Sequence, residues 1–344
     1  MVKKMGVDEK WDLITRNSSE IIGEEELKGK IKSGREISIY WGTAPTGKPH
    51  VGYMFPMLKV ADLLQAGFKV KILLADLHAA LDNAPWEVLE ERYKYYETVI
   101  PLLVEAMGGD VSKLEFVKGS DFQMSKEYIY DLFKMSSITT NHDSLKAASE
   151  VVKLGDNPKV SGLIYPLMQA LDEEYLKVDV QLGGTDQRKI MVLAREKLPQ
   201  IGYDKRIEFI LPLIPGLIGK KMSASVAASK IELTDEPKDV EKKVKSADFI
   251  EGETSNGVMA IFERIIFVLK KDVGKKLIIE RPEKFGGNLE FSSYEELEKC
   301  VVERKVHPLD IKMALAKEIS KLLEPILKNK KNIEKIEKKA YPEN

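Results

Sequence analysis

A single cysteine, Cys300, excludes an internal disulfide and a cysteine-based zinc site, and it points to a reducing compartment, the cytoplasm. Neither charge sign dominates. With 54 Lys+Arg against 55 Asp+Glu, a nucleic-acid partner has to be argued from local patches and not from net charge. Long apolar runs are also missing: the longest, Phe209 to Gly219, is broken by Pro212 and Pro215 and is too short to span a bilayer. The N-terminal stretch MVKKMGVDEKWDLITRN lacks the apolar segment of a secretory signal, so no membrane role is expected. No internal repeat is visible, and no metal site is expected. What is there is a chain of 344 residues, 43% of them apolar, which is enough for about two domains with a sizeable core.

Residues 1–35 read as a charged, amphipathic lead-in. The first strand follows, the β-rich run Ile37 to Gly42, then a turn, Thr43 to Pro49, and a helical pattern from His50 to Gln65 that Gly67 stops. Phe68 to Leu74 is nearly continuously apolar, as a parallel strand covered on both faces should be; Trp86 to Met107 reads as a long helix and Leu114 to Val117 as the next strand. This alternation predicts an α/β fold with an open, mostly parallel sheet that binds ligands outside the carboxyl ends of its strands. From Ser125 to about Leu176 the pattern is helical, an insertion, before strand Val178 to Leu182, helix Asp186 to Leu198 and strand Glu208 to Leu213. Beyond Thr234 four helical patterns surround a turn-rich segment, Arg281 to Asn288, which predicts a second, α-helical domain. The tail, Lys328 to Asn344, carries six lysines and reads as a solvated, fraying helix end.

Three segments carry chemistry. The turn Gly42 to Gly52 joins a strand to a helix, and free N–H groups at a helix start favour phosphate. Gly47 and Gly52 would admit a ligand close to the backbone, and His50 could donate to a phosphoryl oxygen, although an ordinary turn with a capping histidine fits equally. Lys220 and Lys221 stand in a small-residue loop far downstream, either plain solvated surface or a pair able to cover a polyphosphate. Tyr165, Gln169 and Asp172 recur at i, i+4 and i+7 on one helical face, either a solvent stripe or a binding stripe. Pro166 suits only a first turn, which makes the register at Tyr165 the weakest point. The polar run Gly183 to Lys189 follows a strand and opens a helix, so it shares the sheet's carboxyl edge with the first turn.

These residues resemble a known family. His50-Val51-Gly52-Tyr53 is similar to the HIGH signature, and Lys221-Met222-Ser223-Ala224-Ser225 to the KMSKS signature, of class I aminoacyl-tRNA synthetases. The strings YWGTAPTGKPH, LLADLHA, YPLMQALDEEYLKVDVQLGGTDQRK, RPEKFGGNL and HPLD resemble the tyrosyl-tRNA synthetases of the archaeal and eukaryotic cytosolic type, from about Glu20 to Lys328. The resemblance implies a Rossmann-type catalytic domain over 1–232, with its helical insertion at about 125–176, and an α-helical anticodon-binding domain with a lysine-rich tail over 233–344.

It also implies a reaction: tyrosine and ATP give tyrosyl-adenylate and pyrophosphate, and the tyrosyl group then passes to the 3′ end of tRNA(Tyr). By resemblance Tyr40 and Asp172 hold the phenolic hydroxyl, and Tyr165, Gln169 and Gln187 the α-amino end. Asp186 takes the ATP ribose, with Gly47, Gly52, Gly184, Met222 and Ser223 also at the nucleotide. His50, Lys221 and Thr46 stabilise charge at the α-phosphate, with magnesium on the leaving pyrophosphate. Asp76 and His78 are weaker candidates for the cleft wall. Arg188 and Lys189 lie, by resemblance, near the acceptor stem, and Phe285, His307 and Asp310 near the anticodon, although Phe285 also reads as core. The insertion, Ser125 to Val160, is the expected homodimer contact. Two positions depart from the signatures. Ala224 replaces the second lysine of KMSKS, for which Lys220 or potassium is the expected substitute, and Tyr53 replaces the last histidine of HIGH. Tryptophanyl-tRNA synthetases share the architecture, and a non-catalytic RNA-binding paralogue is the alternative of a different class.

Overall fold

The computed structural model describes residues 5–219 and 230–342. Helix α1 (Val7–Thr15), strand β1 (Glu20–Ile22) and helix α2 (Glu24–Lys32) precede β2 (Ser38–Thr43), α3 (Met54–Gln65), β3 (Lys69–Leu74), α4 (Asp76–Leu81), α5 (Leu89–Ala106) and β4 (Leu114–Lys118). Helix α6 (Gly119–Gln123) follows, and α7 (Lys126–Ile138), α8 (Asn141–Ala148) and α9 (Val160–Tyr175) occupy the expected insertion before β5 (Val180–Gly184), α10 (Arg188–Lys197) and β6 (Ile207–Leu211). The sheet runs β1-β6-β5-β2-β3-β4, parallel except for β1, which pairs antiparallel with β6. The chain leaves β2 toward β3 and β4, then returns through the insertion to β5 on the other side of β2. The crevice between β2 and β5 is thus a topological switch point, where open α/β sheets bind ligands.

The remaining elements are α11 (Pro237–Lys245), α12 (Gly257–Ile261), α13 (Phe267–Asp272), the hairpin β7 (Leu277–Ile279) and β8 (Leu289–Phe291), α14 (Tyr294–Val302), α15 (Pro308–Leu327) and α16 (Lys330–Ala340). Their apolar faces, such as Val240, Leu315 and Leu323, join the cluster that also holds Leu58 of α3 and Ile100 of α5, so one core runs through both halves. A polar clasp joins three elements. Arg16, after α1, is bonded to Asp62 of α3 at 2.5 Å and to Asp272 of α13 at 2.6 Å, and the buried Lys59 ammonium donates to the Ile14 carbonyl at 2.7 Å.

Three expectations need correction. The lead-in contributes β1, a three-residue edge strand too short to leave a period-2 pattern. Helix α9 begins at Val160, so Pro166 lies inside it and not in its first turn; the cost is one missing N–H donor. The tail is not a fraying end: α16 buries Ile333 and Ala340 against α5. A mostly charged helix can still carry a narrow apolar stripe, and here Ile333, Ile336 and Ala340 supply it.

Candidate active site

One cavity of about 410 Å³ opens at the switch point. Around it the fold gathers Tyr40, Thr46, His50, Gly52, Tyr165, Gln169, Asp172, Gly184, Asp186 and Gln187, all of them expected site residues and drawn from segments far apart in sequence. Gly47 stands in the same turn without lining the cavity, and its carbonyl accepts from the Tyr96 hydroxyl at 2.5 Å. Lys221, Met222 and Ser223, with Lys220 and Ala224, lie outside the described residues.

The closed end of the cavity is made of buried polar side chains. The stripe of α9 faces inward: Asp172 is 0% exposed and accepts from Gln123 Nε2 at 2.8 Å and from the Tyr128 hydroxyl at 2.8 Å. Burial pushes the Asp172 carboxyl up to about 7, against the pull of those two donors. His78 also lines this end, with Nε2 3.9 Å from Asp172 and its ring edge-on to Tyr165 at 4.6 Å between centroids. Burial lowers the His78 imidazole to about 4, so it is neutral at pH 7. The Tyr40 hydroxyl and His78 Nε2 are buried with no hydrogen-bond partner among the described residues. A buried polar atom without a partner is costly, and a polar ligand group would satisfy both. Asp76, by contrast, does not line the cavity; it accepts the Ser120 backbone N–H at 2.8 Å and fixes the start of α6.

Gln123 and Tyr128 escaped sequence reasoning. They lie on α6 and α7, and no local pattern aims them at a carboxylate on α9; Gly119 is the one available signal, since a Cβ there would stand 2.7 Å from Gln123 Oε1. Gln181 also lines the cavity, beside Tyr40 in the β2–β5 register.

The open end is built on backbone. His50 caps the short turn Val51–Tyr53, its Nδ1 accepting the Gly52 N–H at 3.1 Å. With Nδ1 as acceptor in a neutral ring, Nε2 carries the hydrogen and is left as a donor, the tautomer being assigned from this bond. Burial first, and the nearby Lys230 cation second, hold His50 down at about 4. Val51 N–H reaches the Ile231 carbonyl at 3.0 Å, so the strand-like segment after residues 220–229 is stitched to this turn. Gln169 donates to Gln187 at 3.0 Å, joining α9 to the β5–α10 turn, and a Cβ on Gly184 would stand 2.7 Å from Asp186 Oδ1.

The tRNA candidates lie elsewhere. Arg188 is paired with Glu20 at 2.6 Å and Lys189 with Glu150 at 2.8 Å. Phe285 is 61% exposed at the tip of the Glu283–Phe285 turn, which excludes the core reading, with the Lys284 ammonium 4.9 Å from its ring. Arg281 bonds the Lys305 carbonyl at 3.4 Å, tying this turn to the segment before His307, whose Nδ1 caps α15 with Asp310 in its first turn.

A doubly crossed parallel sheet with this cleft, an inward polar stripe and a histidine-capped turn is the arrangement of a class I synthetase, and the chain belongs to the family of tRNA synthetases class I (W and Y), which it matches over residues 32–324. It is 50% identical over 342 residues to the cytoplasmic tyrosine–tRNA ligase of Gallus gallus, covering 98% of this chain and 64% of that one. It therefore spans less than two-thirds of that relative's length. The cytoplasmic tyrosine–tRNA ligase of Saccharomyces cerevisiae is 45% identical, with 97% of this chain and 88% of that one covered. The crystal structure of the Archaeoglobus fulgidus tyrosyl-tRNA synthetase with L-tyrosine superposes with a TM-score of 0.86 at 39% identity, covering 94% of this chain and 99% of that one. Within the family the chain falls in the archaeal and eukaryotic tyrosyl branch.

Proposed function

We propose that the chain is a tyrosine–tRNA ligase, working in the cytoplasm as its named relatives do. One observation carries the amino-acid specificity: Asp172, oriented by Gln123 and Tyr128, shares the closed end of the cavity with the partnerless Tyr40 hydroxyl. A phenol bound there donates to the carboxylate and accepts from Tyr40. Phenylalanine would leave the Tyr40 hydroxyl buried and unpaired and deprive Asp172 of the substrate's donor, and in this family such lost bonds give discrimination of ~10⁵. An indole offers a donor at a different reach and no acceptor for Tyr40, which disfavours the tryptophan alternative.

In activation the tyrosine carboxylate attacks the α-phosphorus; a C–O–P bond forms and pyrophosphate leaves with the electron pair of the broken P–O bond. The protein's task is to position the reactants and to neutralise charge on the equatorial oxygens. His50 Nε2–H and Thr46 do so from the turn and Lys221 from the KMSAS segment, while Gln169, Gln187 and Tyr165 orient the α-amino end and Asp186 accepts from the ribose hydroxyls. A ribose hydroxyl of the terminal tRNA adenosine then attacks the carbonyl and releases AMP. Magnesium enters as a companion of the nucleotide, and Lys220 or potassium as the substitute for the lysine missing at Ala224. No group of three histidine, cysteine or carboxylate side chains converges as a resident metal site among the described residues.

In the same reading, residues 1–232 are the catalytic domain and 233–344 the anticodon-binding domain. Phe285 stacks on a base beside His307 and Asp310, Arg188 and Lys189 exchange their carboxylate partners for acceptor-stem phosphates, and residues 125–160 meet a second copy in a homodimer. The test is exchange of labelled pyrophosphate into ATP with tyrosine, phenylalanine or tryptophan supplied singly. Exchange with tyrosine alone is expected. Exchange with tryptophan would move the assignment to the sister enzyme, and none at all would favour a non-catalytic RNA-binding protein.

A further inference from the structure

The signature turn is gripped from outside the cavity. Three successive carbonyls in it are held by side chains of α5: Arg92 Nη1 donates to the Pro45 carbonyl at 3.4 Å and the Thr46 carbonyl at 2.8 Å, and the Tyr96 hydroxyl to the Gly47 carbonyl at 2.5 Å. A planar trans peptide sets N–H opposite C=O, so carbonyls fixed toward α5 turn the N–H groups of Gly47 and Lys48 away from that helix. Arg92 is itself fixed by the C-terminal segment. Its Nε donates to the Ala340 carbonyl at 3.1 Å, and its guanidinium lies 4.7 Å from the Tyr341 ring centroid, within cation–π range. Tyr341 is braced edge-on by Tyr95 at 5.5 Å between centroids. Glu337 of α16 adds a direct tie, an ion pair with Lys48 at 2.5 Å.

We propose that α16 and Tyr341 form a strut that sets the nucleotide-binding turn, with Arg92, Tyr341 and Glu337 as positioning residues for ATP. The chain thereby uses its C-terminal segment, distant in sequence, to pre-form a backbone anion site that has few side chains of its own to stiffen it. Lys48 is tied into the strut by Glu337, which holds its ammonium toward α16. The inference rests on the reading of this turn as the ATP site.

The test uses the full chain, measuring ATP affinity by titration calorimetry and KM for ATP and for tyrosine by pyrophosphate exchange. Arg92→Gln should raise Kd and KM for ATP about tenfold, the scale of one or two lost charged hydrogen bonds, and leave KM for tyrosine within about twofold. Tyr341→Ala and Glu337→Gln should raise them about threefold to fivefold, and Tyr341→Phe, which keeps the ring over Arg92, should restore the parental value. Should Arg92→Gln fail to fold, the Tyr341 pair and Glu337→Gln carry the same test. ATP affinity unchanged in the folded variants, or equal rises for ATP and tyrosine, would overturn the strut. If the parent binds ATP yet exchanges with no amino acid, the proposed reaction fails while ATP affinity still reads the strut. If the parent does not bind ATP, the turn is not the nucleotide site and the strut falls with it.

Discussion

The two ends of the cavity are built in different ways. The closed end is made of buried side chains drawn from five elements, β2, α4, α6, α7 and α9, with Asp172 bonded to Gln123 and Tyr128 at its centre. The open end is a backbone turn whose shape is held by α5 and α16 behind it and by the Lys230–Leu233 segment beside it. The difference follows from what each end must bind. Rejecting a close analogue requires fixed polar atoms in a dry place, where a missing partner is most expensive. A phosphate needs donors and positive charge, which backbone N–H groups at a turn supply without buried carboxylates.

The contrast breaks most visibly at Asp172. Replacing it by alanine removes the carboxylate that accepts from Gln123 and Tyr128 and would accept the substrate phenol, so kcat/KM for tyrosine should fall about a thousandfold while KM for ATP stays near the parental value. A similar rise in both KM values would show that the two ends are not independent. At the other end, His50→Ala removes a donor aimed at developing charge. It should lower kcat about a hundredfold with little change in KM for tyrosine, as read in single-turnover adenylate formation. A change confined to KM would mean that His50 binds ATP without favouring the transition state.

Much of this site was legible from the chain alone, for a physical reason. The strand–turn–helix at Gly42 to Gly52 and the polar run Gly183 to Lys189 are local, and the rule that ligands sit at the carboxyl edge brings them together without a structure. The stripe Tyr165, Gln169, Asp172 was visible as a stripe, but periodicity alone does not say whether a polar face meets water or a cavity; the burial of Asp172 decides it. Gln123 and Tyr128 were not legible, because their role is a contact across 49 and 44 residues with no spacing rule behind it. The docking of α16 was hidden by composition. Its lysines dominate any average, while Ile333, Ile336 and Ala340 do the packing.

The smallest expected effect sharpens the comparison further, because it asks whether the closed end is tuned as well as shaped. Tyr128 donates to Asp172 at 2.8 Å, which stabilises the carboxylate and opposes the upward push of burial. Asp172 accepts the substrate hydroxyl when ionised, so kcat/KM for tyrosine should fall as pH drops through about 7, the value to which burial raises the carboxyl. Tyr128→Phe deletes the donor and keeps the ring, so the carboxyl should be harder to ionise and the midpoint of that profile should move to higher pH. At neutral pH the loss should be about fivefold to tenfold, the scale of one charge-assisted bond, and should shrink as the medium is made more alkaline. KM for ATP, measured over the same range, should follow the parental curve, because the open end does not use this carboxylate. A loss that is the same at every pH would make Tyr128 a packing residue, and the tuning of Asp172 would then rest on Gln123 and burial alone.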